Sequence, residues 1–99
     1  MKQFNIYLAQ IVDGEATKKV LIISPNEMNE SINTVIVAPI IKFSGQYPTR
    51  LAIKLNAETQ YIVLEQLQTI DKTMIKEELS TIDESTQEKL KSILKEMFA

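Results

Sequence analysis

Two stretches decide the fold: Lys18-Lys19-Val20-Leu21-Ile22-Ile23-Ser24-Pro25 and Thr34-Val35-Ile36-Val37-Ala38-Pro39. Residues 18–24 read as a buried strand, because Val20 to Ile23 form a continuous apolar run. Residues 34–38 are rich in β-branched side chains and read as another strand, with Pro39 limiting its far end. Between them Ser24-Pro25 suits a helix start, with Ser as the cap and Pro at the first helical position. Residues 26–31 then form a short helical turn.

Outward from this centre the chain continues in short strands. Phe4 to Ile11 alternates in part and reads as a first strand, followed by a strong turn signal at Asp13-Gly14. Residues 41–48 read as a loop containing Ser44-Gly45. Thr49 to Leu55 alternates as a fourth strand, Asn56-Ala57-Glu58 turns the chain, and Gln60 to Leu67 is a fifth strand. Residues 68–79 are ambiguous, leaning to extended structure with a short strand around Met74–Lys76. The last segment is a helix: Leu90, Ile93, Leu94, Met97 and Phe98 make one apolar stripe at helical spacing. Asp83 is a good N-cap, and Glu84 and Glu88 suit the positive end of the helix dipole. The stripe is expected to bury Leu94 and Phe98 against the sheet. Five or more short strands followed by one helix predict a mainly β fold, a small curved antiparallel sheet or barrel with a C-terminal helix.

Composition narrows the chemistry. The 99 residues suffice for one domain, 1–99, and too few remain for a second. There is no cysteine and no histidine, which removes disulfides, thiolate metal sites and the commonest general base. Acid–base work falls to Lys, Arg, Tyr, Asp, Glu or hydroxyls, and no cofactor or metal is expected. With only Gly14 and Gly45, no glycine-rich phosphate loop is possible. No leader sequence or membrane-length apolar run is visible, so a soluble cytoplasmic protein is expected. Net charge is −2, split as +2 over residues 1–55 and −4 over residues 56–99. That asymmetry reflects either solvated faces or a weakly basic face for an anionic partner.

Several spaced segments resemble the MazF/PemK toxins of bacterial toxin–antitoxin systems, within the superfamily that includes CcdB. Thr34 to Ile40, ending Ala-Pro-Ile, followed by Tyr47-Pro48-Thr49-Arg50, is similar to that family's central strand and its P-T-H-like loop closure. Val63-Leu64-Glu65-Gln66-Leu67-Gln68-Thr69-Ile70-Asp71-Lys72 is close to its L-[DE]-Q-I-R-T-I-D-K segment. Val20 to Asn29 and the entry to the last helix at Leu79–Asp83 also agree in order, so the likeness spans about residues 18–98. Both chain ends, Met1–Tyr7 and Leu94–Phe98, are similar to CcdB, although the W/S-G-I tail of CcdB is replaced here by a stop at Ala99.

The resemblance implies a CcdB/MazF/Kid-like, SH3-like barrel that forms a homodimer and binds a cognate antitoxin. It also implies a metal-independent endoribonuclease that cleaves single-stranded RNA. The pattern departs from the family at the catalytic positions: Lys18 and Lys19 stand for an Arg-Pro pair, Ile41 for a Thr or Ser, and Gln68 for an Arg. Arg grips a phosphate through two parallel hydrogen bonds, whereas Lys offers a point charge. Lys18 becomes the candidate catalytic cation, with weakened activity expected. Candidate substrate-binding residues are Lys19, Lys42, Tyr47, Arg50, Glu65 and Gln66. Each has a plainer role open to it: solvated lysines at a strand start, a tyrosine covering the core edge, an arginine balancing carboxylates, hydrogen-bonding residues late in a strand. Two rival functions remain open, a CcdB-like inhibitor of DNA gyrase and a catalytically degenerate module that only binds its antitoxin.

Overall fold

The computed structural model describes all 99 residues, Met1–Ala99. Seven strands and two helices follow in the order β1 (Asn5–Ala9), β2 (Lys18–Ile22), α1 (Asn26–Ser31), β3 (Thr34–Ile41), β4 (Arg50–Leu55), β5 (Glu58–Val63), β6 (Gln68–Asp71), β7 (Ile75–Thr81) and α2 (Glu84–Met97). Single 3-10 turns at Leu64–Gln66 and Lys72–Met74 separate β5, β6 and β7. All pairings are antiparallel, in the order β4-β5-β3-β2-β1-β7, with β6 also on β3.

The long strand β3 organises the sheet. One edge pairs with β2, at Val20↔Pro39 through Ile22↔Val37. The other edge changes partner along its length: residues 34–37 pair with β6, and Ile40 and Ile41 with β5. Because β6 and β7 are joined by one tight turn while pairing with β3 and β1, the strands β7-β1-β2-β3-β6 curl into a small barrel. Successive side chains of a strand point to opposite faces, and the core accordingly splits in two. Tyr7, Ala9, Val20, Ile22, Val35, Val37 and Ile70 fill the barrel. Ile6, Leu21, Ala38, Ile40 and Ile62 belong to the opposite face, where Leu90 of α2 joins them.

Several expectations need correction. β3 runs through Pro39 to Ile41 instead of ending there. Residue 39 lies in the gap between the β6 and β5 registers, where that edge offers no partner, so a residue without an N–H is tolerated. Ser24 does not cap α1; Pro25 occupies the N-cap position without a side-chain bond. The buried Ser24 hydroxyl instead donates to Asn29 Oδ1 and accepts from the Ile36 N–H at 3.0 Å, tying α1 to β3. The fifth strand stops at Val63, so Glu65 and Gln66 lie in a 3-10 turn rather than a strand. Residues 68–79 hold two strands, β6 and β7, where one short strand was expected.

The last helix starts where expected, with Asp83 accepting from the Thr86 N–H at 2.7 Å. Leu90 is fully buried, and Ile93, Leu94 and Met97 pack partly buried beside it. Phe98 is not buried: it is 71% exposed, because the helix ends at Met97 and the aromatic ring leaves the apolar face. No helix is long and apolar enough to cross a membrane.

Candidate functional site

Strand alternation separates the two lysines that open β2. Lys18 falls on the same side as Val20 and Ile22, which fill the barrel, and lies at its mouth. Lys19 falls on the opposite side with Leu21; its ammonium donates to the side-chain Oε1 of the buried Gln60 at 3.1 Å. Only the first therefore faces the cavity, and the second is held within the sheet's outer face.

The mouth of the barrel opens into a cavity of about 400 Å³. Lys18 and Glu15 bring opposite charges to it, Gln66 and Gln68 bring amides, and Pro39 and Leu67 supply apolar wall. The geometry follows from the chain path. Glu15 sits on the β1–β2 connection, Lys18 begins β2, Gln66 ends the 3-10 turn, and Gln68 begins β6 on the same face as the barrel residue Ile70. Ile41 lies two residues beyond Pro39 in β3, on the same strand face, half-buried and paired with Tyr61. It brings no polar atom to the site.

Three of the remaining candidates, Arg50, Glu65 and Tyr47, form a second group. Arg50 and Glu65 make an ion pair, Nη2 to Oε2 at 2.7 Å, with Nε donating to the same oxygen at 3.0 Å. Thr49 Oγ1 donates to Glu65 Oε1 at 2.7 Å, Arg50 Nη1 donates to Ser44 Oγ at 3.1 Å, and the guanidinium lies 4.6 Å from the Tyr47 ring centroid. The hydrogen bonds from Arg50 hold the Glu65 carboxyl below its ordinary pKa, and the carboxylate raises that of Arg50 in turn. Arg50 is therefore partnered by a carboxylate. Tyr47 is 55% exposed and stacks on Arg50, so it does not cover the edge of the core. Lys42 is exposed at the start of the β3–β4 loop, next to Phe43, which is 89% exposed.

Of the residues singled out in the sequence, Lys18 and Gln66 share the cavity, Arg50, Glu65 and Tyr47 share the ion-pair cluster, and Lys19 and Lys42 belong to neither. Sequence reasoning passed over Glu15. It lies between Gly14 and Ala16, in a connection with no periodicity to mark its side chain. Gln68 was visible as a departure from the family pattern but not as a cavity residue.

The comparisons with known proteins agree with this architecture. A family model described as PemK-like, MazF-like toxin of type II toxin–antitoxin systems matches residues 2–98. No curated protein sequence matches the chain. Among solved structures, a mycobacterial endoribonuclease in complex with its cognate antitoxin is similar with a TM-score of 0.87 and 20% identity, over 99% of this chain and 94% of that one. The Mycobacterium tuberculosis toxin MazF-mt6 has a TM-score of 0.83 and 21% identity, over 95% of each chain. A MazE–MazF structure from Deinococcus radiodurans has a TM-score of 0.84 at 11% identity, over 100% of this chain and 95% of that one. At such identities these structures speak for the fold, while the family match spans nearly the whole sequence. The chain belongs to the PemK-like, MazF-like toxins of type II toxin–antitoxin systems.

Proposed function

We propose that this toxin cleaves single-stranded RNA without a metal, at the mouth of the β-barrel, and that a cognate antitoxin restrains it. The observation that carries the proposal is the convergence of Lys18, Glu15, Gln66 and Gln68 on one cavity. Attack of a ribose 2′-hydroxyl on the adjacent phosphorus needs a base for that hydroxyl, positive charge at the phosphoryl oxygens and a proton for the departing 5′-oxygen. The Lys18 ammonium supplies the charge. The Glu15 carboxylate is the group in the cavity able to accept the 2′-hydroxyl proton as the new 2′-oxygen–phosphorus bond forms. The Lys18 ammonium is the group able to give a proton to the 5′-oxygen as its bond to phosphorus breaks. The two glutamine amides, each both donor and acceptor, suit the edges of unpaired bases. Lys42 and Tyr47 extend the RNA path along the β3–β4 loop, and such a toxin works in the cytoplasm. Similar structures described as endoribonucleases support the same reading.

Two copies are expected to associate, since Phe98 at 71% and Phe43 at 89% exposure leave aromatic surface uncovered in the single chain. With Lys in place of Arg and Ile41 in place of a hydroxyl, turnover is expected to be slow. The test uses a fluorogenic chimeric oligonucleotide with one ribonucleotide, in the presence of a chelator, on wild type and Lys18→Ala. Cleavage by wild type and its loss in Lys18→Ala is the expected result. Undiminished cleavage by Lys18→Ala overturns the site. Absence of cleavage together with inhibition of DNA gyrase, or with antitoxin binding alone, replaces the proposal by one of the other two functions.

A further inference from the structure

The turn Leu64–Gln66 sends two neighbouring polar side chains to different places. Glu65 goes to Arg50, Thr49 and, through Arg50, to Ser44 and Tyr47, whereas Gln66 goes to the cavity that contains Lys18. The turn is anchored on both sides: Leu64 is fully buried and its N–H donates to Thr49 O at 3.0 Å, while Leu67 packs against the core and Gln68 pairs with Val37. Between those anchors, the side-chain hydrogen bonds of the turn are those made by Glu65. Arg50 reaches both this turn and the β3–β4 loop, so one guanidinium connects the two segments that border the RNA path. Three donors already occupy the Glu65 carboxylate, two from Arg50 and one from Thr49, so little of that carboxylate is left for a ligand.

We propose that Arg50 and Glu65 are a positioning pair, which locks the Leu64–Gln66 turn so that the Gln66 amide stays in the cavity beside Lys18 and selects the RNA sequence cleaved there. The pair does not itself contact RNA. The inference rests on the cavity being the RNA site, and it makes Gln66 a determinant of specificity. An amide held in one orientation distinguishes a base edge that matches it from one that leaves its donor or acceptor unpaired, whereas a mobile amide adjusts to both.

The test combines a cleavage arm with one that needs no cleavage. In the first, kcat/KM is measured on the preferred substrate and on single-base variants of it, for wild type, Glu65→Gln, Gln66→Ala and the double variant. Glu65→Gln is expected to reduce discrimination at one base position by about tenfold, the order expected for one oriented hydrogen bond. Adding it to Gln66→Ala should change discrimination little, because both act through one group. Arg50→Ala should leave the salt dependence of RNA binding unchanged, while Lys18→Ala should lower its slope by about one phosphate contact. Additive losses, or a reduced salt slope in Arg50→Ala, would mean direct contact with RNA and overturn the proposal. The charge-swapped variant Arg50→Glu/Glu65→Arg should recover part of the lost discrimination. In the second arm, NMR relaxation of the Gln66 side-chain amide is compared in wild type and Glu65→Gln without RNA. Increased mobility of that amide is expected, and an unchanged order parameter overturns the clamp. Should wild type cleave no RNA at all, the functional proposal fails, and the relaxation result still decides whether the pair positions Gln66.

Discussion

Truncating Leu90 tests how the C-terminal helix is held. Leu90 is 0% exposed and belongs to the core cluster shared with Phe4, Ile6, Leu21 and Ile82. Leu90→Ala removes three carbon atoms, worth about 2.4 kcal/mol in transfer at roughly 0.8 kcal/mol per methylene. A cavity remains, because strands on one side and a helix on the other collapse only in part, and buried Leu→Ala changes consequently span about 2.7–5.0 kcal/mol. We expect a loss of about 3–4.5 kcal/mol. For a domain of this length, with melting entropy near 2.1 cal/mol/K per residue, that lowers Tm by about 15–20 °C. Leu94, one turn later and only partly buried, should cost about half as much when cut to Ala. Phe98→Ala, at a position 71% exposed, should leave chain stability within about 0.5 kcal/mol. The assay is urea denaturation followed by circular dichroism at one fixed protein concentration, since association would make the midpoint concentration-dependent. Equal small effects at Leu90 and Phe98, below about 1 kcal/mol, would refute the packing of α2 on the sheet.

Catalysis should follow the cation: Lys18→Arg raises the rate of RNA cleavage and Lys18→Ala abolishes it, with Ile41→Thr adding a further gain, measured with the fluorogenic substrate. Asn56 and Ala57 make the two-residue β4–β5 hairpin loop with φ of 53° and 64°; glycine is relaxed there and alanine is not, so Ala57→Gly should stabilise the protein by about 0.5–1 kcal/mol in urea titrations. The Glu65 carboxyl has its pKa depressed from an ordinary 4.5, so its contribution to stability is present above about pH 4.5 and is lost as pH falls through the lower folded value. Wild type should therefore lose stability more steeply than Glu65→Gln below that pH, and parallel acid melting curves would contradict the ion pair's role. If exposed Phe98 lies between two copies, Phe98→Ser should shift light-scattering mass toward the 11.3 kDa of one chain without lowering helix content.

Much of the fold is legible along the chain, because strand and helix periodicities are local. The apolar run at Val20 to Ile23, the β-branched run at Thr34 to Ala38 and the stripe at Leu90, Ile93 and Leu94 announce elements that the structure contains. The ends of those elements are less legible. Pro39 stops a strand only where its N–H is needed, and that depends on which neighbour lies across the edge. Gln68 to Leu79 reads as ambiguous because much of it is exposed and lacks the alternation that a half-buried strand shows; its pairing with β3 and β1 comes from barrel closure.

The sequence by itself determined the strand-rich architecture, the C-terminal helix, the absence of histidine and cysteine chemistry, and Lys18 as the candidate cation in place of an arginine. Tertiary structure alone decided which polar groups meet. Residues 15, 18, 66 and 68 converge on one cavity because β3 changes partner from β5 to β6 and the β7-β1-β2-β3-β6 strands curl around Val20 and Ile22. Lys18 and Lys19, neighbours in sequence, part to opposite faces by strand alternation, and Glu65 and Gln66 part at a 3-10 turn. Burial of the two cores selects that curl, and a nearest-neighbour pattern has no record that residues 15 and 66 line one cavity or that residues 50 and 65 form an ion pair.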